Sequence, residues 1–294
     1  MKSGFVSFTG RPNVGKSTLM NAVMGQKVAI TSNKNHTTRN NIQAIYNDQE
    51  SQIIFVDTPG IHKPREKVGK YLNQKAYYSM EDVDIVCFVV DASKPLGKGD
   101  RYVIERLNKL DKTLFLIINK IDLVKKEDLL KKISEYKDLA DFSEIIPVSA
   151  LKEDNLIRFM NVIKHYLPDG IKYYDDPDTN IQSEAFLISE IVREKVMRLT
   201  KDEVPYAVTT MIEKFNNKKD VVEIGVQIIV DRENLKGIIL GKRGAMIKSI
   251  GMKARDDIEK IYNKKVYLEL FVKVIKNWRD KERYLEEFGI KNIE

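Results

Sequence analysis

Ile85 to Asp91 and Thr113 to Ile118 are nearly continuous runs of Val, Ile, Leu and Phe, the pattern of strands buried on both faces of a parallel sheet. Gly4 to Thr9 predicts a short strand before them and Glu144 to Val148 one after. Ile42 to Tyr46 and Gln52 to Asp57 flank the turn-rich Asn47 to Ser51 and predict a hairpin. Helices are expected over Lys16 to Met24 and Asp154 to Leu167, and the polar stretch Ile30 to Asn40 reads as a loop. Pro168 to Gly170 and Asp175 to Asn180 read as a polar linker. Beyond it the order is helix (Glu184 to Leu199), strand (Tyr206 to Phe215), strand (Val221 to Val230), short helix (Leu235 to Leu240), helix (Ala245 to Tyr262) and strand (Lys265 to Val274). Trp278 to Leu285 reads as a final amphipathic helix. The class is α/β, and 294 residues suit two domains. We place them at 1–170 and 183–294, with 171–182 as linker.

The strand ends carry the chemistry. Gly10-Arg11-Pro12-Asn13-Val14-Gly15-Lys16-Ser17 fits the phosphate-binding loop pattern and lies between a strand and a helix, as that pattern requires. Backbone N–H groups of such a loop and of the helix start, Thr18 included, point at phosphate oxygens, and the helix dipole adds positive charge. Lys16 supplies a point charge to the outer phosphates and Ser17 a hydroxyl ligand for Mg2+. Asp57, ending an apolar strand before Thr58-Pro59-Gly60, is placed to hold the water shell of that ion, and the Gly60 N–H to meet a terminal phosphate. In Asn119-Lys120-Ile121-Asp122, a buried carboxylate at 122 accepts from the ring N–H and exocyclic amine of guanine, a pair adenine lacks. Ser149-Ala150-Leu151-Lys152 offers a backbone N–H to the guanine oxygen. The expected ligands are GTP and Mg2+.

Composition narrows the setting. Hydrophobic content of 43% is ordinary for a folded protein, and the single cysteine, Cys87, lies within an apolar run, which predicts a buried thiol and a reducing cytoplasm. No apolar run approaches the ~18 residues of a membrane span, and no signal-peptide pattern opens the chain. The net charge of +7 is unevenly spread: Asp175 to Glu233 carries 8 basic and 13 acidic residues, Lys236 to Lys265 carries 9 and 3. Such a local basic stretch suits a polyanion.

Residues 1–170 resemble the translation-factor-related GTPases, with Gly10 to Ser17, Thr37-Thr38-Arg39, Asp57 to Gly60, Asn119 to Asp122 and Ser149 to Leu151 as their five motifs. The resemblance implies a doubly wound P-loop GTPase domain with nucleotide at the carboxyl ends of the strands. It makes Thr38, with Thr37 as alternative, the switch threonine that joins Ser17 and Asp57 at Mg2+. One departure is that Ile61 stands where Ras-like members carry a water-orienting glutamine. Asn13 matches a position that ligates a monovalent cation in potassium-activated relatives, so K+ is the candidate second cation and Lys16, Thr38, Gly60 and Asn13 form the expected catalytic set. His62 is discounted as a base, since His36, His62 and His165 are scattered and share no triad or metal spacing.

The second half resembles a smaller α+β KH domain of the second topological type, with Gly241-Lys242-Arg243-Gly244 between its two helices. That implies single-stranded RNA held by Lys236, Gly241, Lys242, Arg243, Gly244 and Lys248. Ile238, Ile239, Met246, Ile247 and Ile250 supply groove or core, and core is the simpler assignment for most. Together the halves resemble bacterial GTPases of small-subunit ribosome assembly, on Thr37-Thr38-Arg39, Asp57 to His62 and the final strand Leu270 to Val274. That resemblance implies a monomeric GTP hydrolase and molecular switch whose loops at 31–40 and 58–69 order with GTP, and whose partner is small-subunit ribosomal RNA near its 3′ end, in the 30S subunit. Two alternatives are a nucleotide-binding RNA scaffold with negligible hydrolysis and a GTPase at the inner face of the cell membrane. The set Ser17, Thr38 and Asp57 argues against the first and the lack of a lipidation motif against the second.

Overall fold

A computed structural model describes residues 1–35, 37–64, 67–175 and 182–291; His36 and Asp176 to Asn180 of the expected linker lie outside them. The chain divides into two units, Met1–Ala29 with Thr38–Arg65 and Gly69–Ile181, and Ile30–Thr37 with Glu66–Val68 and Gln182–Glu294.

In the first unit, β1 (Lys2–Thr9), β2 (Ile42–Asn47), β3 (Ser51–Asp57), β4 (Ile85–Asp91), β5 (Thr113–Asn119) and β6 (Phe142–Pro147) form one sheet in the order β2-β3-β1-β4-β5-β6. Only β2 runs against its neighbour β3, as a hairpin partner must. Every residue of β4 is buried, and every residue of β5 after Thr113, which is why they read as nearly continuous apolar runs. Helices α1 (Lys16–Met24), α2 (Lys67–Glu81), α3 (Lys98–Leu107), α4 (Lys126–Tyr136) and α5 (Leu156–Tyr166) alternate with the strands. Val103, Ile104 and Leu107 of α3 and Ala76 and Met80 of α2 bury their apolar stripes in one cluster with Val86, Phe88 and Val90 of β4. The sheet places β3 on one side of β1 and β4 on the other, so the connections part at β1, where crevices form outside the carboxyl ends of strands.

This unit differs from the sequence reading in its helices and in its last segment. Helices α2, α3 and α4 are additional to those the pattern predicts, and α2 begins at Lys67, inside the span expected as loop. After α5, Tyr173 and Tyr174 donate their backbone N–H groups to Gln52 Oε1 at 2.7 and 3.0 Å, and the Tyr173 ring meets Phe5 edge-on at 5.1 Å. That part of the polar stretch is therefore bound to the sheet.

In the second unit, α6 (Glu184–Leu199), β7 (Val208–Asn217), β8 (Val221–Val230), α7 (Glu233–Leu240), α8 (Ala245–Tyr262) and β9 (Lys265–Val274) keep the order of a type II KH domain. β8 is central, antiparallel to β7 and parallel to β9. Ser183 caps α6 by accepting the Phe186 N–H at 3.2 Å. Ile191, Val192 and Val196 of α6 and Ile250, Ala254 and Ile258 of α8 cover the sheet. β7 starts at Val208 because Val204–Tyr206 is a 3-10 turn containing Pro205, which has no N–H for a ladder.

The tail is not the single helix expected. A 3-10 turn, Trp278–Asp280, precedes the short α9 (Glu282–Glu287). Trp278 is fully buried, its Nε1 donates to the Ala207 carbonyl at 3.2 Å, and Arg279 pairs with the buried Asp231 at 2.8 Å. An amphipathic pattern around an aromatic anchor thus resolves into a clasp. Trp278→Ala should destabilise the second unit by about 3–5 kcal/mol, read as a lowered thermal midpoint. A change below about 1 kcal/mol would assign the tail no part in its stability. No helix among the described residues is long and apolar enough to cross a membrane.

Candidate active site

β1 ends at Thr9 and the chain turns through residues 10–15 into α1, whose N-cap is Gly15 at φ 99°. A Cβ on Gly15 would stand 2.3 Å from Asn119 Nδ2, so only glycine satisfies both the dihedral and the space. Lys16, buried, donates from Nζ to the Arg11 carbonyl at 3.2 Å. Arg11 pairs with the buried Asp100 of α3, 2.9 Å away. Asn13 is exposed and has φ 65°; its carbonyl accepts from Lys120 Nζ at 2.8 Å.

Three oxygen-bearing side chains converge beside this loop. The Ser17 hydroxyl donates to Asp57 Oδ2 at 2.5 Å, Thr38 Oγ1 donates to the same oxygen at 3.1 Å, and the two hydroxyls lie 3.0 Å apart. The other Asp57 oxygen, Oδ1, is buried without a hydrogen-bond partner. Burial pushes the Asp57 carboxyl upward, with Lys16, Ser17 and Thr38 pulling partly back. Burial likewise pushes Lys16 downward, offset in part by Asp57. A desolvated carboxylate with an orphaned oxygen beside two hydroxyls is a hard, oxygen-only donor set that fits Mg2+, while the desolvated ammonium fits phosphate. Among the described residues no cluster of three or more His, Cys, Asp or Glu side chains forms a separate metal site. Thr37 is turned elsewhere, its hydroxyl donating to the Lys34 carbonyl at 2.8 Å.

Beyond Asp57, the Thr58 hydroxyl donates to the Phe8 carbonyl at 2.8 Å and ties the segment to β1. The Ile61 N–H donates to the Gly10 carbonyl at 3.0 Å, closing Pro59 and Gly60 over the phosphate loop. The Ile61 side chain is completely buried in the core. His62 Nδ1 sits 3.0 Å from the Gly60 carbonyl.

The segments expected to recognise the base are organised by Asn119. Its Nδ2 donates to the Val14 carbonyl at 2.9 Å, and its Oδ1 accepts from the N–H groups of Lys120 (2.8 Å) and Ala150 (3.0 Å). The Ala150 N–H, a candidate for the guanine oxygen, is thus engaged within the protein, while Leu151 next to it is exposed. Lys120 bridges to Asp91 at 2.6 Å. Burial alone would raise Asp91, but hydrogen bonds from Lys120 and Ser93 outweigh it and hold the carboxyl below its ordinary value. Asp91 escapes the motif reading, although it ends a buried strand just as Asp57 does. Asp122 corrects an expectation: it is exposed, because the 3-10 turn Ile121–Leu123 that carries it leaves the end of β5 at the surface. Its Oδ1 accepts the Ser149 hydroxyl at 2.5 Å.

In the second unit, Gly241 (φ 69°) ends α7 and Gly244 (φ 77°) caps α8. A Cβ on Gly241 would lie 2.7 Å from that of Met246. Lys242, Arg243 and Lys248 are exposed and Lys236 is half-buried. Ile239 and Ile250 belong to the core and Met246 packs against it, whereas Ile238 is 44% exposed.

Comparison with known proteins agrees with both halves. The model of the 50S ribosome-binding GTPase family matches residues 5–120 and that of the KH domain matches residues 203–279. GTPase Era of Clostridium kluyveri is 47% identical over 99% of this chain and all of its own length. Among solved structures, a point variant of Aquifex aeolicus Era bound to GDP·AlF4− is 40% identical with TM-score 0.94, covering 99% of each chain. Era in complex with MgGDPNP and nucleotides 1506–1542 of 16S ribosomal RNA is 38% identical with TM-score 0.92, again over 99% of each. With a phosphate loop, a guanine-type strand end and a KH unit in one chain, and a relative this similar from end to end, the protein belongs to the Era family of GTPases.

Proposed function

We propose that this protein is a GTP-hydrolysing switch that binds small-subunit ribosomal RNA near its 3′ end and acts in assembly of the 30S subunit, in the cytoplasm and as a monomer. The observation that carries the reading is the meeting of Ser17, Thr38 and Asp57 at the start of α1. Bound Mg2+ would supply positive charge against the negative charge that develops on the phosphates. Ser17, Thr38 and Asp57 hold the ion, the N–H groups from Gly10 to Thr18 and Lys16 hold the phosphates, and Asn119, Asp122 and the Ser149–Leu151 segment hold guanine. Asn13 would hold a K+ ion, whose charge would serve in place of an arginine finger. The partner assignment takes its support from the RNA-bound relative and from the exposed cations of the loop between α7 and α8.

The RNA surface has a direct test. If Lys242 and Arg243 meet phosphates, replacing both with Ala should flatten the dependence of log affinity on log salt by about 1.4 for a short single-stranded RNA, taking the per-contact slope for single strands. Thermal stability should barely move, since both side chains are exposed. An unchanged slope in the folded variant would remove this loop from the interface. Binding of the parent to anionic vesicles with no RNA affinity would favour a membrane surface instead.

A further inference from the structure

Asp100, in the first turn of α3, is completely buried and belongs to none of the nucleotide motifs. Its Oδ2 accepts the Gly97 N–H at 2.8 Å, which ties the carboxyl to the start of its own helix. Its Oδ1 stands 2.9 Å from Arg11 Nε as an ion pair. The Arg11 side chain lies along the first turn of α3, where a Cβ on Gly99 would stand 2.6 Å from its Cδ and one on Gly97 3.0 Å from its Nη1. Two glycines thus leave the room through which the guanidinium reaches the carboxylate. Tyr136 of α4 is buried near the pair; burial first, and then the charge of Asp100, push its hydroxyl above the ordinary value. A carboxylate taken wholly out of water is costly unless paired, and the cation paired with this one comes from the phosphate loop. All of these residues lie in the first unit.

Arg11 is engaged at its backbone as well. Its carbonyl accepts from Lys16 Nζ at 3.2 Å, so the residue whose guanidinium Asp100 holds is also the residue that places the buried ammonium. We infer that Asp100 is a positioning residue for nucleotide binding: α3 holds Arg11, and Arg11 in turn aims Lys16 at the outer phosphates. The inference rests on the reading of Lys16 as a ligand of those phosphates. It gives α3, which carries none of the five motifs, a part in the phosphate site.

Asp100→Asn is the informative variant. An amide keeps the size and still accepts the Gly97 N–H, so the helix start is preserved while the charge facing Arg11 is lost. Affinity of the full chain for a fluorescent GDP derivative should fall by about tenfold, the order of one hydrogen bond to a charged group. In a Lys16→Ala background the same change should cost less than about twofold, because the path to the phosphates is already cut, a non-additivity that a merely structural role would not produce. If Lys16→Ala weakens GDP binding and Asp100→Asn does not, or if the two losses add, the positioning role is overturned and the site reading stands. If Lys16→Ala binds GDP as the parent does, both fall. Should Asp100→Asn melt early, the double variant Arg11→Met with Asp100→Asn takes its place, since replacing both partners of a buried pair leaves no stranded charge. A loss of the same size there supports the inference, and parental affinity overturns it.

Discussion

Asp122→Asn is expected to turn a site that selects GTP over ATP by roughly 10^4 into one that prefers xanthosine triphosphate, because sites built to hydrogen-bond a ligand reject its mismatched analogue on that scale. The carboxylate offers only acceptors, matched to the ring N–H and amine of guanine; the amide offers one acceptor and one donor, matched to the ring N–H and carbonyl of xanthine. Ser149 holds Asp122 Oδ1 from behind at 2.5 Å, and its hydroxyl can do the same for the amide oxygen, so the replacement keeps its orientation. GTP affinity should fall by about a hundredfold, the cost of opposing donors in a desolvated contact. Competition of GTP, ATP and XTP for one fluorescent nucleotide measures all three. An unaltered order of preference would take Asp122 out of base recognition.

Potassium is expected to accelerate hydrolysis over sodium at equal ionic strength by at least about tenfold, within the thousandfold or more that an arginine finger supplies. Ile61 is sealed in the core, so that position presents no group to orient water. Asn13 is exposed at the rim of the phosphate loop in a left-handed turn braced by Lys120. Asn13→Ala should erase most of the difference between the two salts while leaving GDP binding near the parental value. Equal rates in potassium and sodium would transfer the catalytic charge to a residue supplied by a partner.

Much of this molecule can be read from its residues. α1, α6, β8, α8 and β9 begin and end where the sequence places them, because glycines, polar turns or a capping serine mark their limits and their apolar positions keep one period. α2 is harder to see although Val68, Leu72, Ala76 and Met80 recur every fourth residue and are all buried; charged residues and tyrosines between them mask the stripe. The phosphate loop and strand-end motifs are local in sequence and carry their own chemistry. Asp122 reads as buried because base recognition suggests it, and exposure is set instead by how a turn leaves a strand. The hydrogen bond from Arg193 to the Thr37 carbonyl joins positions 156 apart, and no periodicity or spacing announces such a pair.

Asn119 connects Val14 of the phosphate loop, Lys120 of its own motif and Ala150 of the last strand end through one amide side chain. The segments proposed to hold the two ends of a nucleotide are thereby fastened to each other, so loosening one end is expected to loosen the other. A factor that speeds turnover by prising at the phosphates would, through this amide, also release the base.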